Sequence, residues 1–212
     1  MNITWLGHSS FKIEGREVTL ITDPFDDSIG FKFPKVSADI VTISHEHYDH
    51  ANAGAVGGNP FIIDSPGEYE VKGVFIQGIP SFHDNKEGAE RGQNIIYKIE
   101  IDDLIIAHLG DLGHLLTDKQ TEKIEGIDIL MLPVGGKFTI GYKEAIEIIN
   151  QIEPRVVIPM HYHIPGLKIE IDPLDKFCKE MGCSPSDAVD KYKITKKDLP
   201  QEETKIIIFS KI

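Results

Sequence analysis

Ser44-His45-Glu46-His47-Tyr48-Asp49-His50 follows directly on the apolar, β-branched run Ile40-Val41-Thr42-Ile43. That run reads as a buried strand, so the histidines leave a strand end and enter a loop. Four of the seven residues are transition-metal donors, spaced His-x-His-x-Asp-His. In extended chain, residues i and i+2 point the same way, so His45 and His47 can grip one ion together. Asp49 and His50 lie one step on, where Ala51-Asn52-Ala53 could begin a short helix, and they face another direction. One short segment can therefore feed two adjacent ions, and imidazole with carboxylate suits zinc. A solvated, histidine-rich loop is the competing reading. It explains a lone histidine well and this cluster of donors poorly.

Further donors recur at equivalent places. His83 ends the run Val74-Phe75-Ile76-Gln77-Gly78-Ile79 and its extension, Asp111 follows Leu104-Ile105-Ile106-Ala107, and His161 follows Arg155-Val156-Val157-Ile158-Pro159-Met160. Loops built on rigid strand ends can converge at one edge of packed sheets. His108 lies beside Asp111, and spacing alone does not decide whether it or His83 joins His45 and His47.

The remainder alternates strands with a few helices. Ile3 to Leu6, Phe11 to Glu14 and Val18 to Ile21 are short strands joined by tight turns, an antiparallel start. Pro60 to Asp64, Tyr69 to Val71, Ile95 to Ile99, Ile127 to Leu132 and Lys205-Ile206-Ile207-Ile208-Phe209 are further strands, and Phe25 to Lys35 is a loop. Thr117 can cap a helix running to Lys123 by accepting from the Gln120 amide. Tyr142 to Gln151 carries Ala145, Ile148 and Ile149 on one face and is the clearest amphipathic helix. Leu174 to Met181 is helical and stops at Gly182.

Composition bounds the answer. The 212 residues suffice for one domain spanning 1–212 with a sizeable core. Lys and Arg number 22 against 34 Asp and Glu, a net charge of −12, which repels phosphate backbones and anionic membranes. Neither a nucleic acid nor a membrane is the expected partner. Cys178 and Cys183 are too few for a disulfide framework and read as thiols in a reducing compartment. The chain opens as a strand without a basic n-region or apolar h-region, and no apolar run is long enough to cross a membrane. A cytoplasmic location is expected, and the sequence leaves a homo-oligomer open.

The His-x-His-x-Asp-His motif resembles that of the metallo-β-lactamase-fold hydrolases. Gly110-Asp111 and Met160-His161-Tyr162 match later motifs of that family, and the resemblance covers nearly the whole chain. It implies an α/β fold, a four-layer α/β/β/α sandwich, which the two halves of strands then helix fit. The family's di-iron branch has Glu where this chain has His47, which favours the hydrolytic, zinc-type branch. The β-lactamases proper usually carry Cys where this chain has Asp111. Gly7-His8-Ser9-Ser10 is similar to the subgroup that includes L-ascorbate-6-phosphate lactonase.

By that resemblance His45, His47 and His83 bind one zinc, Asp49, His50 and His161 the other, and Asp111 bridges them. Mn2+ or Fe2+ could replace zinc. The resemblance also implies a water between the ions that supplies hydroxide near neutral pH, with Asp49 holding it. His108 then stands near the site, facing substrate or supporting a ligand, and His8 lines the site. Asp23 orients a ligand. The Pro133-Val134-Gly135-Gly136-Lys137 turn is a candidate oxyanion loop, and Arg91 a candidate substrate contact. The expected function is metal-dependent hydrolysis of an ester, lactone or phosphoester in a small molecule. The alternatives are a transfer-RNA-type nuclease of the same fold, which the acidic balance disfavours, and a non-catalytic metal-binding protein.

Overall fold

The computed structural model describes residues 1–212. The chain runs β1 (Asn2–Gly7), β2 (Ser10–Glu14), β3 (Thr19–Thr22), β4 (Ile40–Thr42), β5 (Phe61–Ile63), β6 (Gly67–Val71), β7 (Val74–Phe82), β8 (Gln93–Ile101) and β9 (Leu104–His108). It continues through α1 (Asp118–Ile124), β10 (Ile129–Pro133), α2 (Tyr142–Ile152), β11 (Val156–Met160), α3 (Asp175–Met181), β12 (Tyr192–Lys193) and β13 (Lys205–Ile206). One sheet has the order β12-β1-β2-β3-β4-β5 and the other β13-β11-β10-β9-β8-β7-β6.

Alternation along the strands builds the sandwich. Ile3, Trp5, Phe11, Ile13, Leu20 and Ile40 of the first sheet share one continuous core with Ile76, Ile99 and Ile106 of the second. The Tyr97 hydroxyl lies between the Ile43 and Ile63 carbonyls, at 2.8 and 2.9 Å, and so ties the sheets across the seam. Against the second sheet lies α2, which buries Ala145, Ile148 and Ile149 as its periodicity requires. Each fully buried isoleucine there contributes about 1.5–3 kcal/mol. Thr117 accepts from the Gln120 amide at 3.4 Å and caps α1, and both α1 and α3 pack on α2.

The outer face of the first sheet is covered differently. Leu6, Ile21, Phe25, Ile29, Val41 and Leu167 form a separate small core there. Its cover is made of the 3₁₀ turns Asp27–Ile29 and Ala53–Ala55 together with the segment around Leu167. The outer layer on that side is thus reduced to single turns and irregular chain. One expectation needs correcting. The run Lys205–Phe209 is a strand only at Lys205–Ile206, after which Phe209 bridges Val189. The edge strand β12 carries no strand signal in its sequence, because two residues are too few to show a period.

Direction is what positions the site. The strands β3, β4 and β5 run parallel, as do β9, β10, β11 and β13. Two antiparallel steps return β1 to the direction of β3, and two more return β7 to that of β9. The residues that follow β1, β3, β4, β7, β9 and β11 therefore leave the sandwich at strand C-terminal ends.

Candidate metal centre

Those ends bring His8, Asp23, the His45–His50 segment, His83, Asp111 and His161 together. Asp111 is the hub. Its Oδ2 lies 3.1 Å from His161 Nε2, 3.4 Å from His83 Nε2 and 4.0 Å from His45 Nε2, and its Oδ1 lies 3.3 Å from His50 Nε2. Around it the donors fall into groups. His45, His47 and His83 have donor atoms within 4.8 Å of one another, and so do His8, Asp49, His50 and His161. The division expected from the family likeness reappears in the geometry, with His8 added to the second group.

Backbone shape aims these side chains. Asp111 is delivered by Gly110 at φ +56°, where a Cβ would collide with Asn94 Oδ1 and Ser44. Asn94 Oδ1 then accepts from the Asp111 amide at 2.9 Å. His8, Asp23 and His161 also adopt left-handed φ values, 54°, 38° and 51°. Two of these bends are tied together: the His8 carbonyl accepts from Trp5 Nε1 at 2.9 Å and from the His161 amide at 3.2 Å. Trp5 in turn stacks on Tyr162, the residue after His161.

Behind the donors stands Asp23. It accepts from the Ser44 amide at 2.8 Å, the Ser44 hydroxyl at 2.6 Å and His50 Nδ1 at 2.9 Å. Ser44 Oγ is also 3.0 Å from His45 Nδ1. One buried carboxylate therefore fixes the rings of His45 and His50, leaving Nε2 of each turned inward. His8 Nε2 lies 3.2 Å from Asp49 Oδ2.

The electrostatics suit a cation. Burial pushes His45 down to about 3 and His8 down to about 4, which keeps both rings neutral. Burial opposes ionisation of Asp49, yet His50 and the His8 hydrogen bond outweigh it and hold the carboxyl below the usual range. Burial likewise opposes ionisation of Asp111, and His161 and His50 outweigh it. For His50 the carboxylates of Asp111 and Asp49 overcome burial and raise its pKa, showing how strongly this position favours positive charge. Neutral imidazoles and ionised carboxylates are the forms that bind metal. The buried atoms His45 Nε2, His50 Nε2 and Asp111 Oδ1 have no hydrogen-bond partner in the protein. Stranding such atoms costs about 1–3 kcal/mol each, and a shared ion is the group that would satisfy all three. The donor set fits zinc.

His108 is placed otherwise than expected. Its Nε2 is 2.9 Å from the Ser9 carbonyl, and its Nδ1 accepts from the Gly110 amide at 3.2 Å. Still inside β9 and paired with Tyr97 and Met131, it points into the core and ties the β1–β2 turn to the Asp111 bend. Neither nitrogen is free for a metal or a substrate, so the substrate-facing role is corrected to an internal brace. Sequence reasoning missed Ser44, Asn94 and Trp5, whose roles arise only from cross-sheet neighbours. It also missed Asp84, whose buried carboxylate accepts from the amides of Lys86, Gly88, Glu90 and Arg91 at 2.8 to 2.9 Å.

Above the donors opens a cavity of about 540 Å3, lined by His47, Asp49, His83, Asp111 and His161 on its metal side and by Arg91, Lys137 and Lys168 among others on its walls. Lys137 and Arg91, both singled out in the sequence, do reach it; Lys168 was not foreseen.

The chain resembles known proteins. The model of the β-lactamase superfamily domain matches residues 2–161. A protein of Thermococcus onnurineus named UPF0173 metal-dependent hydrolase is 33% identical over 191 residues, covering 77% of this chain and 85% of its own. A Thermotoga maritima crystal structure, described as a proposed zinc-dependent hydrolase of the metallo-β-lactamase superfamily, is 40% identical. It covers 98% of this chain and 97% of its own at a TM-score of 0.81. Human tRNase Z, short form, at 11% identity and a TM-score of 0.57 over 76% of this chain and 92% of its own, shares the fold alone. Donor geometry, sandwich and relatives agree: the chain belongs to the metallo-β-lactamase superfamily and is one of its metal-dependent hydrolases.

Proposed function

We propose that the chain is a di-zinc hydrolase of a small-molecule ester, lactone or phosphoester. His45, His47 and His83 would hold one ion, Asp49, His50 and His161 the other, with Asp111 between them. The observation that carries this reading is the convergence of unpartnered His45 Nε2 and His50 Nε2 on Asp111. Bound zinc supplies an acidified water as nucleophile and a Lewis acid for the substrate oxygen.

The protein's own residues do the rest. Asp23 and Ser44 set the ring planes of His45 and His50. Asp49 orients the attacking water and accepts its proton, while His8 Nε2 steadies Asp49 through Oδ2. Burial of His8, 1% exposed, keeps bulk water from that contact. The substrate would enter past His47 and Tyr48, the two exposed members of the motif that line the cavity.

Elemental analysis of the purified protein should find close to two zinc ions per chain. Chelation should abolish turnover across a panel of lactones, phosphodiesters and carboxylic esters, and added zinc should restore it. Saturation at a single ion would sink the binuclear reading, and metal-independent turnover would sink the hydrolytic one.

A further inference from the structure

Resting on the hydrolase reading, the walls of the cavity narrow the substrate further. The chain carries a net charge of −12, yet Arg91, Lys137 and Lys168 all line the cavity that opens above the metal donors. They arrive on three separate loops, each anchored independently of its cation. Arg91 ends the loop that Asp84 gathers, and the His83 amide closes that loop by donating to the Gly92 carbonyl at 3.1 Å. Lys137 occupies a left-handed position, φ 61°, in the turn after β10. Lys168 is fixed by its amide, which donates to the Ile29 carbonyl at 2.8 Å.

We infer that these three cations form a subsite for an anionic group of the substrate, a phosphate or carboxylate set apart from the bond that is cleaved. Of the acidic side chains lining the cavity, Asp49 and Asp111 belong to the metal donors. The remaining one, Glu170, is spent on Lys137, 2.7 Å away. Arg91 has only Glu90 within reach, at 3.8 Å, and Glu90 is itself paired with Lys86. Lys168 has no carboxylate within ion-pairing distance. Positive charge is therefore left over at the rim of an otherwise acidic protein. Between two of the cations stands Phe138, with the Arg91 guanidinium 5.8 Å and Lys137 Nζ 5.7 Å from its ring centroid. The stacking restrains both groups over the opening, and a guanidinium fork matches phosphate or carboxylate oxygens. A charged group bound there places a bond one short linker away over the metal donors.

The test uses metal-loaded protein and three esters with one scissile bond: 4-nitrophenyl butyrate, mono-4-nitrophenyl glutarate and 4-nitrophenyl 4-phosphonobutyrate. The anionic esters should exceed the neutral one in kcat/KM by about tenfold or more, chiefly through KM, and the margin should shrink with added salt. In Arg91→Ala and Lys168→Ala the ratio of charged to neutral kcat/KM should fall toward one with metal content intact. Glu170→Gln, which releases Lys137, should raise that ratio, a gain that misfolding cannot produce. The better anion separates phosphate from carboxylate. Glutaramate and 4-phosphonobutyramide, titrated calorimetrically against butyramide, test the subsite even where no ester is cleaved. Anion binding that weakens at least tenfold in the Arg91 and Lys168 variants, without any turnover, would overturn the hydrolase reading and uphold the subsite. Equal handling of the three esters, or an anion preference that survives both Arg91→Ala and Lys168→Ala, would overturn the subsite.

Discussion

His83 and His108 both end apolar runs, and at the level of single residues nothing in their spacing separates them. What separates them is register. His83 lies one residue past β7, with its ring 3.4 Å from Asp111, whereas His108 is the last paired residue of β9 and spends both nitrogens on backbone. His83→Ala should therefore lose metal from the His45 and His47 side while the fold persists. His108→Ala should keep its metal and melt lower, by about 1–3 kcal/mol for the stranded Ser9 and Gly110 groups. Metal stoichiometry after dialysis, read beside a thermal melt, decides the matter. An ion lost from the His108 variant with none lost from the His83 variant would reverse the assignment. The other candidate donors were legible only as a set, because a histidine or aspartate just past each of several strands can converge at one edge of the packed sheets. Ser44 and Asn94 were not legible, since a serine or asparagine at a strand end is ordinary until its neighbour in the other sheet is known.

Among the elements, the helices were readable to within a residue because each carries its own punctuation: Thr117 before α1, the buried face of α2, Gly182 after α3. The two-residue strands at Tyr192 and Lys205 were not, being defined by partners rather than by pattern. The loop from Asp84 to Gly92 shows how much order a polar stretch can hide. Burial alone would raise the Asp84 pKa, but the amides of Arg91, Lys86, Glu90 and Gly88 outweigh it and hold the carboxyl well below the usual aspartate range. A depressed pKa stabilises the folded loop fully above the unfolded aspartate value, about 3.9, and that contribution fades as pH falls through the folded value. Amide exchange at Lys86, Gly88, Glu90 and Arg91 should therefore stay protected down to mildly acidic pH and rise only below it. In Asp84→Asn the same amides should exchange faster already at neutral pH. Protection unchanged by the substitution would show that the backbone holds the loop without the carboxylate.

For the molecule as a whole, the sandwich and the family could be read from the sequence, as could the strand ends on which the candidate donors gather. It did not give the cavity. Arg91, Lys137 and Lys168 are remote from one another along the chain, and only the shared direction of β7, β10 and β11 in the second sheet sets the loops that follow them on a common rim. The helix expected over the first sheet is likewise a matter of the whole. The small core around Phe25 and Ile29 needs only a lid, and single 3₁₀ turns with the segment around Leu167 provide it. No helix is long and apolar enough to cross a membrane.

The left-handed backbone at His8, Asp23 and His161 sets the interests of the fold against those of the centre. A side chain in that region costs about 1–2 kcal/mol, so three such residues absorb an appreciable part of the 5–15 kcal/mol that holds a typical domain folded. Asparagine visits that region more routinely, because its short polar side chain can bond its own backbone. His161→Asn, compared with the parent after both are stripped of metal, should melt no lower, and only the parent should gain on adding zinc. A metal-free variant that melts several degrees lower would show that the histidine is not strained there. If the expectation holds, a laboratory selection for heat tolerance run without metal would drift toward sequences that fold better and catalyse nothing. The conditions of selection, more than its stringency, would then decide whether this enzyme survives being improved.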